Sequence, residues 1–226
     1  KVSAEIVKKA TVDLLDNVTF DFKAGFMTVI GFDARHYQRL DKHSIFAVRF
    51  AGATSFGSEK ILYFLGAVVN WLFQQFNNDI PIPVSDDFAF QTLASNLRGF
   101  EYNIRNGNNY ALLNNELRVP IFKYFSKNIK SNFINNFQVV GFFDVGTAWQ
   151  GSTPFDKDSP LNTVYISNPP TVNVKVNYFR DPIVAGYGFG IRSVLFGYFI
   201  RLDYAWGIET RVVQEPVFYF SLGKDF

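Results

Sequence analysis

Along most of this chain the apolar residues recur at every second position, which is the period of a half-buried strand and not of a helix. In "FQVVGFFDVGTAW", Phe137, Val139, Phe143, Val145 and Trp149 fall on one side, with Gln138, Asp144, Gly146 and Ala148 on the other. "LLNNELRVPI" sets Leu113, Leu117, Val119 and Ile121 against Asn114, Glu116 and Arg118, and "FIRLDYAW" sets Ile200, Leu202, Tyr204 and Trp206 against Arg201, Asp203 and Ala205. Similar alternation in "TVIGFDARHY", "IFAVRFAG" and "AGYGFGIR" predicts eight strands in all, near 1–10, 18–40, 43–57, 110–122, 134–149, 183–194, 199–207 and 216–226. One face of each is apolar and aromatic; the other carries charges and glycines.

The connections differ in length. "LDKH" (40–43) and "LFGY" (195–198) are tight, whereas 58–109 and 151–182 are long. Short turns alternating with long loops along antiparallel strands is the layout of an outer-membrane β-barrel. A soluble sandwich also alternates, but it seats its apolar face against a second sheet and seldom uses Phe, Tyr and Trp so heavily there. Trp149 and Trp206 both fall on the apolar side at the long-loop ends of their strands, where an interfacial aromatic girdle belongs. In the closing "PVFYFSLGKDF", Phe218, Phe220, Leu222 and Phe226 share one face, and the ending resembles the signal by which outer-membrane barrels are recognised for assembly.

Composition narrows the class further. Of 226 residues 48% are apolar and 27 are Phe, yet no uninterrupted apolar stretch reaches the length of a membrane-spanning helix. The richest run, "ILYFLGAVVNWLF" (61–73), reads as a buried loop or strand. With 22 basic and 20 acidic residues spread along the chain, there is no electrostatic footprint for nucleic acid. The absence of cysteine excludes a disulfide framework. The chain opens at Lys1 without an initiator Met or signal peptide, so upstream sequence is expected.

Four segments, in order and at matching spacing, carry a family resemblance: "LRGF" (97–100), "NGNNYALLNNELRVPIF" (106–122), "GFFDVGTAW" (141–149) and the stretch from "RLDYAW" to "FYFSLGKDF" (201–226). Together they resemble the bacterial surface antigens, the outer-membrane barrels of the barrel-assembly and two-partner-secretion superfamily, in a Bacteroidetes-like form. The resemblance implies an all-β transmembrane antiparallel barrel of about sixteen strands, of which residues 1–226 would be the C-terminal half. A physical argument agrees, since an eight-stranded barrel has an interior filled by its own side chains and cannot also house the 58–109 connection.

The resemblance further implies that 58–109 is a lid folded into the lumen, its tip Leu97, Arg98, Gly99 and Phe100 docking on the inner wall. The chemistry of those residues is consistent with that. A guanidinium drawn into a partly desolvated lumen requires carboxylates, and Glu116 and Asp144 stand on inward faces of neighbouring strands. Gly99 lets the backbone approach the wall, and Gly186, Gly188 and Gly190, all on one face of "AGYGFGIR", offer a floor for Phe100. As a nucleotide loop that GxGxG is misplaced, inside a strand with no helix after it. Asp33, Arg35, Arg49, Arg118, Arg192, Arg201 and Asp203 read as the solvated lining of a wide lumen.

Nothing in the sequence asks for catalysis. The two histidines, His36 and His43, flank a turn without partners at motif spacing. Glu116 with Asp144 could be posed as paired glycosidase carboxylates, but no specificity pattern accompanies them. The expected function is insertion or translocation of polypeptides at the bacterial outer membrane through a gated barrel, without cofactor, metal or nucleic acid. Its partners would be membrane lipid, client polypeptides and accessory lipoproteins. The rival reading is a passive pore or surface-anchoring scaffold.

Overall fold

The computed structural model describes residues 2–13, 19–67, 75–82, 88–126, 130–156, 159–168 and 172–223. The order of elements is β1 (Val2–Asp13), β2 (Thr19–Arg39), β3 (Ile45–Gly57), β4 (Lys60–Gly66), β5 (Phe88–Asn96), β6 (Arg105–Gly107), β7 (Asn109–Val119), α1 (Ile121–Phe125), α2 (Asn132–Asn135) and β8 (Gln138–Trp149). There follow β9 (Thr163–Asn168), β10 (Val172–Asn177), β11 (Val184–Leu195), β12 (Tyr198–Glu209), β13 (Val212–Val213) and β14 (Val217–Gly223). Among these described residues no helix is long and apolar enough to cross a membrane, a test that does not bear on barrels.

The long strands form one antiparallel sheet in the order β1-β2-β3-β7-β8-β11-β12, with β13 and β14 both pairing β12 on its far side. Each predicted strand corresponds to one of them, with shifted ends. Pro120 has no N–H for the ladder and closes β7 at Val119, so residues 121–125 turn into α1; α2 likewise takes 132–135, where a strand start was expected. The two long connections also contain strands that alternation alone did not reveal. β4 is flanked by β5, parallel, and β6, antiparallel, in a separate small sheet, and β9 pairs β10. The apolar run that begins at Ile61 is thus a buried strand as far as Gly66; residues 68–73 lie outside the described part.

Registers place alternate residues of the main sheet on two different faces. In β8 the buried set is Val140, Phe142, Asp144, Gly146 and Ala148. Opposite them in the ladder stand Glu116, Asn114 and Leu112 of β7, and Gly190, Gly188 and Gly186 of β11. This is the covered face, because β4 and β6 lie over it: Leu65, Leu97, Phe100 and Ile104 pack with Leu112, Ala148 and Val184 in one apolar cluster. The connection is tied to the wall by a backbone bond as well, Ser55 N–H to the Asn108 carbonyl at 2.9 Å, and is braced within itself by Leu97 N–H to Gly66 at 2.8 Å and Ile104 N–H to Leu65 at 2.9 Å.

The other face is open. Phe26, Ile30, Phe32, Phe50, Phe143 and Phe189 all stand out from it, Phe143 at 45% exposure and Phe189 at 53%. So many exposed rings on one continuous sheet face have no counterpart on an ordinary soluble surface, where apolar patches stay small. Phe218, Phe220 and Leu222 extend the same face to β14, whereas Phe226 lies outside the described residues. Trp206 joins Tyr187, Phe189 and Tyr204 in a ring cluster at the long-connection end, stacking on Tyr187 at 5.6 Å between centroids.

At the other end, Asp41 organises the β2–β3 turn. Its carboxylate accepts the His43 and Ser44 amides at 2.7 and 2.8 Å and the Tyr124 hydroxyl of α1 at 2.6 Å. The Tyr124 hydroxyl, helped by the Ser44 and His43 amides, lowers the Asp41 pKa from 3.8 to about 2. A depressed folded value means that the linked stabilisation is complete above the unfolded pKa and fades as pH falls through the folded one. Amide exchange at His43 and Ser44, corrected for its intrinsic pH dependence, should therefore show constant protection from pH 7 to 5 and lose it towards pH 2. Asp41→Asn should abolish that pH dependence.

Candidate functional site

The tip of the 58–109 connection reaches Asp144. Arg98 is 3% exposed and Asp144 fully buried. The Arg98 Nε donates to Asp144 Oδ2 at 2.6 Å, its Nη2 to Oδ1 at 2.7 Å, and its backbone N–H to Oδ2 at 3.3 Å. The remaining guanidinium nitrogen, Nη1, donates to Glu116 Oε1 at 2.5 Å. The fork is thus bidentate to one carboxylate and single to another, the geometry in which an arginine is strongest and most directional. Burial by itself pulls the Arg98 pKa down; the Asp144 carboxylate, with Glu116 behind it, outweighs that, so the net direction is upward and the charge is held. Phe142 lies under the guanidinium, its ring centroid 3.7 Å from Arg98 Cζ.

Other charges interlock with this pair. Glu116 Oε2 accepts from Arg118 at 2.6 Å, Arg192 Nη2 stands 3.7 Å from Glu116 Oε1, and Asp203 pairs with Arg192 at 2.5 Å and Arg201 at 3.2 Å. Arg98, Arg118, Arg192 and Arg201 therefore share Glu116, Asp144 and Asp203 across the tip and the four adjacent strands β7, β8, β11 and β12. Asp33 holds Arg35 and Arg49, each at 2.9 Å, in a second and more exposed group.

The wall is shaped by absent side chains. A Cβ at Gly186 would overlap the Arg98 carbonyl, and one at Gly190 would strike the Asp203 carboxylate and the Arg192 guanidinium. Gly188 leaves room for the edge of Phe142. Phe100 does not lie on these β11 glycines. Its ring sits over Gly207 of β12, one strand further on, because Gly99 at φ +99° turns the chain against the Trp206 carbonyl. Leu97 is fully buried and rests over Gly146.

Three contributors escaped the sequence reading. Tyr219 of β14 accepts the Gly99 N–H at 2.9 Å and donates to the Phe100 carbonyl at 2.7 Å, tying the tip to the last strand. Its signal was its place between Phe218 and Phe220, on the side opposite them. Phe142 is an aromatic on the charged side of its strand. Arg105, fully buried in β6, donates to Glu209 at 2.7 Å and to the Asp181 carbonyl at 2.6 Å, so the base of the connection is held by a second arginine. Burial moves the Arg105 pKa down despite Glu209. His36 and His43 stay at the far end of the sheet, and no cluster of metal-ligating side chains occurs among the described residues.

An antiparallel sheet with an aromatic open face and a charged face covered by its own long connection is the wall of an outer-membrane β-barrel. The family model of the Omp85 superfamily domain matches residues 9–226, and the chain belongs to that superfamily. Its members reside in the bacterial outer membrane, engage client polypeptides and lipid there, and work as transporters or assembly factors in inserting or translocating polypeptides. A comparison with curated proteins finds no match.

Removing the Tyr219 hydroxyl leaves a buried amide and a buried carbonyl without their partner, at a cost of about 1–3 kcal/mol. Tyr219→Phe should accordingly speed amide exchange at Gly99 by roughly ten- to hundredfold. Exchange in the β7–β8 ladder should stay unchanged.

Proposed function

We propose that this chain is the C-terminal half of a gated barrel of about sixteen strands that inserts or translocates polypeptides, with residues 58–109 as its lid. The single observation that carries the reading is the bidentate Arg98–Asp144 pair. A loop with only a connecting role has no reason to bring a guanidinium into a buried face, where desolvation costs several kcal/mol unless partners are waiting. Leu97 and Phe100 add apolar contact, Gly99 allows the close approach, and Gly186 leaves the room for it. The work is done by opening and closing, and the carboxylates of the site, Glu116, Asp144 and Asp203, are each held by arginine.

Client strands would be received by main-chain pairing at a sheet edge. β14 is the candidate edge: within the described residues its ladder partner is β12, Pro216 just before it lacks a donor, and Gly223 ends it. Tyr219 joins that strand to the lid tip, so a change at the edge and a change at the tip are mechanically coupled. Accessory lipoproteins would act on the same assembly from outside this chain.

A double-mutant cycle tests the proposal. Arg98→Ala takes the guanidinium from the buried Asp144 carboxylate, while Glu116 keeps Arg118, and should weaken lid docking by about 3–5 kcal/mol. Asp144→Asn should impair it in the same direction, and the double variant should be clearly less than additive. Protease accessibility of the lid and client assembly would be followed in parallel, with barrel formation preserved. Additive effects, or a freed lid with undiminished client assembly, would overturn the gating role and favour a passive scaffold.

A further inference from the structure

The connection between β7 and β8, residues 120–137, lies at the same end of the sheet as the turns at 40–44 and 196–197, as the antiparallel registers require. Two contacts fix its direction. Ser193, on the open face of β11, donates its hydroxyl to the Phe133 carbonyl at 2.6 Å, so α2 leans over the open face. Tyr124 of α1 is held by Asp41 and by Ser44 across the neighbouring turn. Phe137, on the open face at the root of β8, meets Phe122 edge-on at 5.2 Å and Phe133 at 6.0 Å.

The apolar open face therefore continues from the strands onto α1 and α2. Phe122, Phe133 and Ile134 remain exposed there, Phe125 is 84% exposed, and Phe196 of the neighbouring turn is 90% exposed. Lysines stand among them: Lys42 and Lys130 exposed, Lys123 half-buried. Aromatic rings continuous with a lipid-facing wall, mixed with ammonium groups and a tyrosine hydroxyl, fit the boundary between acyl chains and phosphates.

We infer that residues 120–126 and 130–137, with the 40–44 and 196–197 turns, form an interfacial shelf whose occupant is the phospholipid leaflet at the short-turn end. The rings enter the acyl region and the lysines meet the headgroup phosphates. The shelf fixes how deep the barrel sits, independently of the lid. The inference rests on the open face facing lipid, and the test separates the two.

The 226 residues contain no cysteine, so a spin label introduced here is unique among them. The full-length protein, with any cysteine outside these residues replaced, would be placed in phospholipid nanodiscs carrying Phe125→Cys or Phe133→Cys. Phe143→Cys would be the mid-wall reference and Phe155→Cys, in the 151–182 connection, the aqueous one. Collisions with oxygen and with a nickel chelate report depth. The labels at 125 and 133 should lie about 5–10 Å inside the phosphates, with nickel accessibility well below that at 155 and oxygen accessibility between those at 155 and 143. Nickel accessibility equal to that at 155, with 143 still lipid-like, would overturn the shelf and leave the barrel intact. A water-like 143 would overturn both. Protection from both agents that persists in lipid-free amphipol would mean a protein covers the site, and would also overturn the inference.

Discussion

The covered face of this sheet is organised around one desolvated ion pair. Asp144 has no exposure and Arg98 almost none, so each is tolerable only in the presence of the other. That requirement fixes where the 58–109 connection goes. Once Arg98 is committed to Asp144, Leu97 must meet Gly146 on one side and Phe100 must meet Gly207 on the other, and both are buried in consequence. Glu116 extends the constraint to β7 and, through Arg118 and Arg192, to the charges of neighbouring strands. The pair does not stabilise the sheet itself, whose ladders are complete without it; it selects one position of a long connection among many.

Two solvents explain the two faces. Pleating sends alternate side chains to opposite sides, and in a membrane wall the outward side meets lipid while the inward side meets water and the connection that covers it. Phe143 and Asp144 are consecutive, yet one is left exposed as an apolar ring and the other buried as a carboxylate. In a soluble protein that inversion would be doubly unfavourable. Here it follows from the environment each side was built for, and the same logic carries the aromatic face beyond the strands to Phe137, Phe122 and Phe133.

The last stretch of the connection is held by two arginines of different character. Arg98 is gripped by carboxylates on β7 and β8, whereas Arg105 shares a carboxylate from β12 with backbone carbonyls, including that of Asp181 ahead of β11. Between them Asn103, at φ +71°, ties its side-chain amide to the carbonyls of Asn77 and Ile80. The tip is thus held by the carboxylates of Asp144 and Glu116, the Tyr219 hydroxyl and the burial of Leu97 and Phe100, whereas the stretch behind it leans chiefly on backbone carbonyls.

The sequence by itself determined the strands and their faces, because a period of two survives any partner: Phe143 and Asp144 had to part company whatever lay beside them. It also determined which groups were in need of one another, since an arginine beside a glycine in a long connection and two carboxylates on a charged strand face are complementary by chemistry alone. What it could not determine was distance across the sheet. Phe100 rests on Gly207 and not on Gly186, Gly188 or Gly190, because a register of one strand decides the matter and that register depends on the turn at Gly99. Tyr219 and Arg105 were invisible for the same reason, each meeting partners more than seventy residues away. The run from Ile61 reads only as a buried loop or strand because β4 is buried without a break from Leu62 to Gly66 and lacks the alternation that marks the wall strands. Local periodicity is written in neighbours along the chain, while a docking site is written in neighbours across it, and only the folded sheet brings those together.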